Sequence, residues 1–496
     1  VALNRWRPPV VRHSLASEEG VSWVELFFDL IFVAALIQLG DELADDVSLA
    51  GAARFAAAFF VLWWTWTGTT LVMNRFAVDD VPHRVLVVVQ MFAVGNFALV
   101  VVAPVDDRST WIVVAYLATR LPLLAMYARA RHHVPEARGM IDVHLRWFGV
   151  GATIWLLSLL LPEPARYWAW GVGVAAELLA PVLVARLPDA VPTHDEHLRE
   201  RFALFTIIVL GESFVKVLTE LADTGIDLDT EVLGALLFAT SVGMWWTYFD
   251  DVADSEIRRR SALAARPSVN RVWWVFAHLP LAMALTAFGV SAKKAVVVEG
   301  LATPLPEGYL TLLTGSVAMV LVATALLDAV TASPHHAIDE RWRVLPRLGA
   351  AAAVLAVRVF PDAGVGAVLG GITAIVAAQI AIEVVVASRA DRVVEARVSS
   401  MVDALRGSCV HIESSSYTPP SERVCRECLD LDLTWVRLRM CLACGHVGCC
   451  DDSPARHTRQ HQHATGHPTI VGIEEGEDWS YCFVDGVIDP GWLRTR

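Results

Sequence analysis

Between positions 425 and 467 the chain sets out eight side chains of the kinds that hold a metal ion. They are Cys425-x-x-Cys428, Cys441-x-x-Cys444, Cys449, His457, His461 and His467. Thiolate and imidazole suit zinc, which takes four such ligands in a tetrahedron, so eight ligands are enough for two sites. All the cysteines, from Cys409 to Cys482, lie in the last fifth of the sequence. A disulfide scaffold would need an oxidising compartment, whereas paired Cys-x-x-Cys steps followed by clustered histidines point to metal. Cys450, His446 and His463 are spare: a cysteine beside a ligand more often packs than binds.

A second group of reactive side chains lies in apolar surroundings. The stretch Trp23-Val-Glu25-Leu-Phe-Phe-Asp29 puts two carboxylates four residues apart, on one face of a helix. A charge within hydrocarbon costs about 2.5–3.5 kcal/mol by the lower estimates. Glu25 and Asp29 must therefore look inward, to a partner or to water. Arg120 is the obvious cation for them, while Glu212 and Lys216 are spaced to pair within their own helix. Together Glu25, Asp29, Arg120, Glu212 and Lys216 form the expected polar centre of the membrane part. It would relay protons or bind a small-molecule or ion substrate, with pKa values set by mutual spacing. The competing reading is a structural network that fixes helix packing. Further ionisable groups are Glu177, Asp250, Asp251, Asp328, Arg358 and Glu383. The spans hold no Ser–His pair, no His-x-x-x-His step and no nucleotide loop, so no enzyme is expected.

These residues need elements to carry them, and composition says which. Of the 496 residues 55% are hydrophobic and only 19% charged, with a mean hydropathy of +0.49. The apolar residues run in stretches of about twenty, the length that crosses ~30 Å of hydrocarbon. Twelve spans are expected near 21–40, 51–73, 84–105, 110–129, 146–162, 167–186, 201–221, 231–250, 271–292, 309–330, 344–360 and 363–388. The first apolar run continues past Leu39 without a small-residue cleavage site and reads as a span.

With the N-terminus inside, the cytosolic connections hold Arg75, Arg84, Arg129, Arg131, Arg138, Arg146, Arg199, Arg201, Arg258, Arg259, Arg260, Arg266, Arg341, Arg343 and Arg347. The opposite connections hold little beyond Arg108, Arg166, Lys293, Lys294 and Arg358. This positive-inside bias makes a multi-pass protein of the cell membrane with both termini cytoplasmic, its thiol-rich end on the reducing side. A formal charge of −13 excludes nucleic acid as the main partner.

An internal repeat is also legible. Trp63-Trp64-Thr65-Trp66 in the second span matches Trp245-Trp246-Thr247-Tyr248 in the eighth, and Glu25-x-Phe27 matches Glu200-x-Phe202 one span earlier. A six-span offset gives two parallel six-helix halves, an arrangement used by some transporters. The expected fold is an all-α polytopic bundle over residues 1–390, a helical linker over 391–408, and a small α+β, zinc-stapled cytosolic domain over 409–496.

Two resemblances add to this reading. Cys441-Leu-Ala-Cys444-Gly-His-Val-Gly-Cys449, Arg456-His457, His461 and Thr465-Gly-His467-Pro resemble the zinc finger of the ubiquitin-specific-protease type over about residues 409–487. The resemblance implies interleaved sites, Cys425, Cys428, Cys449 and His457 on one zinc and Cys441, Cys444, His461 and His467 on the other. Some members hold a third zinc through an upstream Cys-x-His and two late cysteines; here Cys409-x-His411 and Cys482 supply three ligands. Well-known members bind the free Gly-Gly C-terminus of ubiquitin in an aromatic pocket, which implies a polypeptide-tail partner at Trp479 and Tyr481. The Arg expected after Cys449 is replaced by Cys450-Asp451. Val24-Glu25-Leu-Phe-Phe-Asp29-Leu-Ile-Phe-Val33, Leu210-Gly211-Glu212-Ser213 and Trp245-Trp246-Thr-Tyr-Phe-Asp250 resemble the bacterial low-temperature-requirement protein A family over about residues 10–390. That likeness implies membrane location and names no substrate. The expected function is that of a transporter-like membrane protein with a cytosolic docking or regulatory domain. The rival is a membrane anchor or sensor that recruits a polypeptide tail.

Overall fold

The computed structural model describes residues 6, 8–12, 21–102, 107–187, 191–225, 227–250, 256–257, 267–332, 341–405, 409–420, 422–431, 433–474 and 477–490. It divides into two compact units, Val1–Ala387 and Ser388–Arg496.

The first unit is helical. Its first six long helices are α1 (Trp23–Asp45), α2 (Leu49–Arg75), α3 (Val81–Val102), α4 (Arg108–His133), α5 (Arg138–Leu157) and α6 (Ala165–Val184). They are followed by α7 (Asp195–Thr224), α8 (Leu228–Phe249), α9 (Pro267–Val297), α10 (Glu307–Val330), α11 (Arg341–Ala356) and α12 (Val365–Leu405). Among the described residues eleven of them, all but α11, are long and apolar enough to cross a membrane. The expected twelfth span near 344–360 coincides with α11, whose 16 residues, continued by a tight turn over Val357–Val359, fall short of that length. Arg343, Pro346 and Arg347 in its first half leave too short an apolar run. Two short antiparallel pairs, β1 (Val10–Val11) with β2 (Phe76–Ala77) and β3 (Glu256–Ile257) with β4 (Thr331–Ala332), tie segments beside the helix ends. The expected groups Asp251, Arg258, Arg259, Arg260 and Arg266 lie outside the described residues.

Helix starts follow local chemistry. Ser22 caps α1 with a reciprocal box: its hydroxyl accepts from the Glu25 N–H at 3.3 Å, and the Glu25 carboxylate accepts from the Ser22 N–H at 2.8 Å. Asp227 and Thr230 form the same reciprocal box at α8, and the Ser48 hydroxyl caps α2 by accepting from the Gly51 N–H at 3.2 Å. The helices then turn polar and small residues inward. Between α5 and α6, a Cβ on Gly151 would meet the Gly173 carbonyl at 2.9 Å, so the two backbones approach as closely as glycine permits. Phe92, Leu99, Leu121, Trp168, Val172 and Ile382 point out of the bundle, as lipid solvation demands.

Helix contacts recur at an offset of six. α1 packs on α2 and α3 as α7 packs on α8 and α9; α4 packs on α2, α3 and α5 as α10 packs on α8, α9 and α11.

The second unit holds the end of α12, which covers most of the expected linker. Then come α13 (Val410–Glu413), α14 (Arg426–Asp430), β5 (Leu438–Cys441), β6 (Val447–Cys449), α15 (His457–Thr465), β7 (Thr469–Gly472), β8 (Trp479–Cys482) and β9 (Val487–Pro490). The strands form one antiparallel sheet in the order β6-β5-β7-β8-β9. Its core is small, built on Ile412, Leu438, Met440, Leu442, Val447 and Val471 together with cysteines. A domain of this size needs staples besides apolar burial.

Two arginines assigned to a loop from charge patterning prove to be buried inside α11. Arg347 reaches Asp328 of α10 at 2.7 Å and Glu383 of α12 at 2.8 Å, and Arg343 reaches Asp328 at 3.4 Å. α11 starts at residue 341, so both lie within the helix and face carboxylates on its neighbours. Replacing Arg347 by Ala strips a guanidinium from two carboxylates. It should lower stability by about 3–5 kcal/mol in thermal unfolding of the detergent-solubilised protein. Arg54→Ala, which breaks an exposed pair with Asp46, should leave the unfolding temperature nearly unchanged.

Candidate metal centres and buried ion clusters

Three groups of ligand atoms gather in the C-terminal unit, the atoms of each lying within 4.8 Å of one another. The first is Cys425, Cys428, Cys449 and His457. Cys425 and Cys428 flank the start of α14, Cys449 ends β6 and His457 opens α15, so four local elements converge on one point. All four residues are buried. Their sulfurs lie 3.3, 3.2 and 3.5 Å from His457 Nδ1. A tetrahedron with Zn–S near 2.3 Å and Zn–N near 2.0–2.1 Å sets sulfur and nitrogen about 3.5 Å apart, which this donor set matches. Burial and the neighbouring thiols push the Cys428 thiol up to about 12. Metal uptake therefore releases protons and weakens as pH falls.

The second group is Cys441, Cys444, His461 and His467, with Cys441 Sγ 3.4 Å from His467 Nδ1 and Cys444 Sγ 3.3 Å from His461 Nε2. The left-handed Gly445 (φ 72°) turns the chain directly after Cys444, where a Cβ would meet the Pro419 carbonyl at 2.8 Å. The two sets are those implied by the zinc-finger resemblance.

The third group is Cys409, His411, Cys482 and Asp485. Asp485 is the fourth member that sequence reasoning missed; the Cys482-x-x-Asp485 step was its only signal. Cys409 Sγ to His411 Nδ1 is 3.7 Å and Cys482 Sγ to Asp485 is 3.5 Å, both of metal-site size. Asp485 Oδ2 also stands 2.7 Å from both Cys409 Sγ and His411 Nδ1. Those contacts are hydrogen-bonding distances, shorter than ligands around one ion would keep. The spare residues go elsewhere: Cys450 packs against Ser453, His446 meets Glu427 at 2.8 Å, and His463 is exposed.

Trp479 and Tyr481 share one half-exposed face of β8, while Ser480 and Cys482 point into the core. The Arg439 guanidinium lies over the Trp479 ring at 4.8 Å, and Arg459 lies over Phe483 at 5.4 Å. Asp451, beside the position where the resembling family carries Arg, pairs with Arg459.

In the helical unit the five residues expected to form one polar centre are dispersed among separate ones. Glu25 and Asp29 do share a face, but their cation is Arg201 of α7. Arg201 Nη2 donates to Asp29 Oδ1 at 2.6 Å and Nε to Oδ2 at 3.1 Å, a two-point fork, while Nη1 lies 3.1 Å from Glu25 Oε1. Trp66 Nε1 donates to Asp29 Oδ1 at 2.7 Å. Arg201 and Asp29 are fully buried and Glu25 nearly so. His197 Nε2 stands 3.3 Å from Glu25 Oε1. Asn74 is fixed by both backbone groups of His194, accepting from N and donating to O, and its amide nitrogen lies 3.3 Å from His197 Nδ1. Nδ1 is thus the acceptor and a neutral His197 carries its proton on Nε2, toward Glu25. The loop assignment of Arg201 is corrected: α7 begins at Asp195, and one further turn takes Arg201 inside the bundle.

Arg120 instead meets Glu177 of α6 at 2.9 Å and donates to Thr65 Oγ1 at 2.8 Å. Tyr116 donates to Glu177, and so does Trp64 Nε1 at 2.9 Å. Arg120 and Glu177 both project from the middle of their helices onto the same stretch of α2, which draws Arg120 away from Glu25. Lys216 pairs with Asp41 at 2.7 Å, an exposed carboxylate one helix away, in place of Glu212. Glu212 lines a small cavity with Ser213, Lys216 and Thr286. Both expected pairings assumed the nearest or most conspicuous cation; tertiary packing selects others.

The repeat is uneven at residue level. Trp63 and Trp64 are buried but Trp245 and Trp246 are 41% exposed, and Glu200 is exposed where Glu25 is buried.

Comparison with known proteins agrees with both resemblances. The profile described as "Bacterial low temperature requirement A protein" matches residues 20–381, and that described as "Zn-finger in ubiquitin-hydrolases and other protein" matches residues 425–491. "Uncharacterized protein RA0937" of Rhizobium meliloti (strain 1021) is 31% identical over 283 residues, which are 55% of this chain and 68% of that protein. The solution NMR structure of Protein RPA1320 from Rhodopseudomonas palustris is 46% identical and covers 18% of this chain and 86% of its own, with a TM-score of 0.17.

Metal analysis of the purified full chain should give at least two zinc ions per polypeptide. Cys449→Ser should lower that number by one, and Cys450→Ser should leave it unchanged. A third equivalent that disappears in Asp485→Asn would assign the third group to metal; its absence would leave that group as a hydrogen-bonded staple.

Proposed function

This chain belongs to the bacterial low temperature requirement A family, and from its buried charges we propose that its membrane part is transporter-like, moving a substrate in step with a proton or cation. The observation that carries the reading is the imbalance at Arg201: two buried carboxylates face one guanidinium. A buried site tolerates little net charge, so an added proton, on His197 or a carboxylate, or a bound cation restores balance. Such a site has a reason to take up a proton or cation, which is the first requirement of coupling. The recurrence of helix contacts at an offset of six supports two parallel six-helix halves, an architecture suited to alternating access. With α11 counted as a twelfth crossing, the chain returns to its starting side, and both termini are taken as cytoplasmic on the positive-inside bias. The zinc-binding domain, residues 409–496 after a helical linker over 391–408, then works in the reducing phase as a docking or regulatory module, stapled through Cys425, Cys428, Cys449 and His457 and through Cys441, Cys444, His461 and His467.

Proteoliposomes carrying a pH-sensitive dye test the coupling role. With a panel of candidate solutes added outside, the lumen of wild-type proteoliposomes should acidify with the transported solute and not without it, and Glu25→Gln and His197→Gln should each slow this at least tenfold while remaining monodisperse on gel filtration. Equal flux in wild type and both variants removes the coupling role.

A second reading assigns the zinc domain to recruitment of a polypeptide C-terminus. It is favoured by the half-exposed Trp479 and Tyr481 with Arg439 stacked above Trp479; Arg439 is held by Glu477 at 2.8 Å, so a tail carboxylate would share that guanidinium. In fluorescence polarisation with the full chain, a labelled peptide ending in free Gly-Gly should bind, its amidated form should bind at least tenfold more weakly, and Trp479→Ala should abolish binding. Equal binding of acid and amide would reject carboxylate capture.

A further inference from the structure

Beside α2, on the side away from Glu25 and Asp29, lies a cavity of about 260 Å³. Thr67, Leu71 and Arg75 of α2 line it, facing Pro181 and Val184 at the end of α6 and Arg271, Val275 and Phe276 near the start of α9. Its polar groups are almost all donors. Arg75 Nε and Nη1 are buried and have no hydrogen-bond partner, and the same holds for Arg271 Nε. The Thr67 hydroxyl is fully buried and also lacks a partner. Among the described residues no carboxylate lines it. Asp195 meets Arg271 Nη2 at 2.9 Å from outside the cavity, and Tyr127 touches Arg75. These contacts leave Arg75 Nε and Nη1 and Arg271 Nε without a partner among the described residues. The remaining wall is apolar, with the Trp64 and Phe276 rings stacked at 5.8 Å and 25°.

Two guanidinium groups brought together in a buried place repel each other unless something between them is negative. Guanidinium forks match carboxylate and phosphate oxygens two at a time. The stacked rings and aliphatic neighbours offer nothing to such an anion's charge but would cover an apolar body attached to it. At about 260 Å³ the space falls just below the ~300–1,000 Å³ of drug-sized pockets, which suits a single ring or short branched chain.

We propose that this cavity binds a small organic anion, a carboxylate or phosphate monoester with an apolar body. Arg75 and Arg271 hold the charged end, Thr67 donates to it, and Trp64 and Phe276 cover the remainder. The site is separate from the Glu25–Asp29–Arg201 cluster and stands whether or not that cluster couples transport. The same headgroup chemistry is available from a soluble metabolite or from an anionic lipid at the membrane face.

The test is calorimetric titration of the full chain in a non-ionic detergent with phenyl phosphate, with inorganic phosphate as comparison. Saturable binding is expected for phenyl phosphate, at least tenfold tighter than for inorganic phosphate. Charge-assisted hydrogen bonds are worth enough that Arg75→Gln and Arg271→Gln should each weaken it about tenfold or more, while Arg54→Gln, on an exposed turn of α2, should not. If either arginine variant fails to fold, Thr67→Val, which removes one neutral hydrogen bond, should still weaken it a few-fold. Repeating the titration in nanodiscs of phosphatidylcholine with and without phosphatidic acid separates the sources. Competition by phosphatidic acid supports the site with a lipid occupant, and undiminished affinity supports it with a soluble one. The proposal is overturned by no saturable binding of phenyl phosphate, by equal affinity for inorganic phosphate, or by binding that survives every folded cavity variant.

Discussion

A charge can be kept out of water only where an opposite charge meets it at hydrogen-bonding distance, and this constraint organises the helical unit. Arg201 and Arg120 join helices that are not neighbours in the chain, and Arg347 ties together three consecutive ones. Arg201 links α7 to α1 and, through Trp66 and Thr70, to α2. Arg120 links α4 to α6 and α2, and Arg347 links α11 to α10 and α12. Removing one member leaves its partner stranded in a medium that cannot solvate it, so each cluster specifies packing more sharply than apolar contact does. α2 serves two of the clusters. Its run Trp63-Trp64-Thr65-Trp66-Thr67-Gly68-Thr69-Thr70 is buried throughout, and within it the Trp64 and Trp66 indoles and the Thr65 and Thr70 hydroxyls supply neutral hydrogen bonds to the ions.

In the C-terminal unit the same problem has a different solution. A five-stranded sheet with so few buried side chains gains little from apolar burial, and thiolates and imidazoles at the element ends gather around metal instead. Most ligands sit where the chain changes direction: at the starts of α14 and α15, at the ends of β5 and β6, and just beyond the end of α15, while His461 reaches in from the middle of α15. Each metal site therefore fixes at least one junction between elements.

The sequence made some of this plain and hid the rest, for physical reasons. Metal-ligand spacing is local and chemically narrow, so Cys425 through His467 could be read directly, as could helices long enough to cross hydrocarbon. The shared face of Glu25 and Asp29 followed from helical period alone. Their partner did not, because Arg201 lies more than a hundred residues away in the chain and looks like one more basic residue flanking a span. Arg347 was hidden in the same way. Charge counting registers which end of a helix is basic and is blind to a turn of helix that carries the charge inside. Glu177 was visible as a buried acid, but nothing local tied it to Arg120. Asp485 escaped notice because a carboxylate near cysteines is common without a metal. The repeated Trp-Trp-Thr motif caught a recurrence of helix contacts, yet it concealed that one copy faces protein and the other faces outward.

Glu25 holds two posts at once. One of its oxygens closes the capping box at the first turn of α1, and the other faces Arg201 and His197. Neutralising that carboxylate changes more than the local charge. It withdraws the negative group that the amide end of α1 favours and weakens the acceptor that secures the Ser22 N–H. A titration at this one side chain is thereby converted into slack at the point where the polypeptide enters its first helix, giving a chemical event a mechanical output.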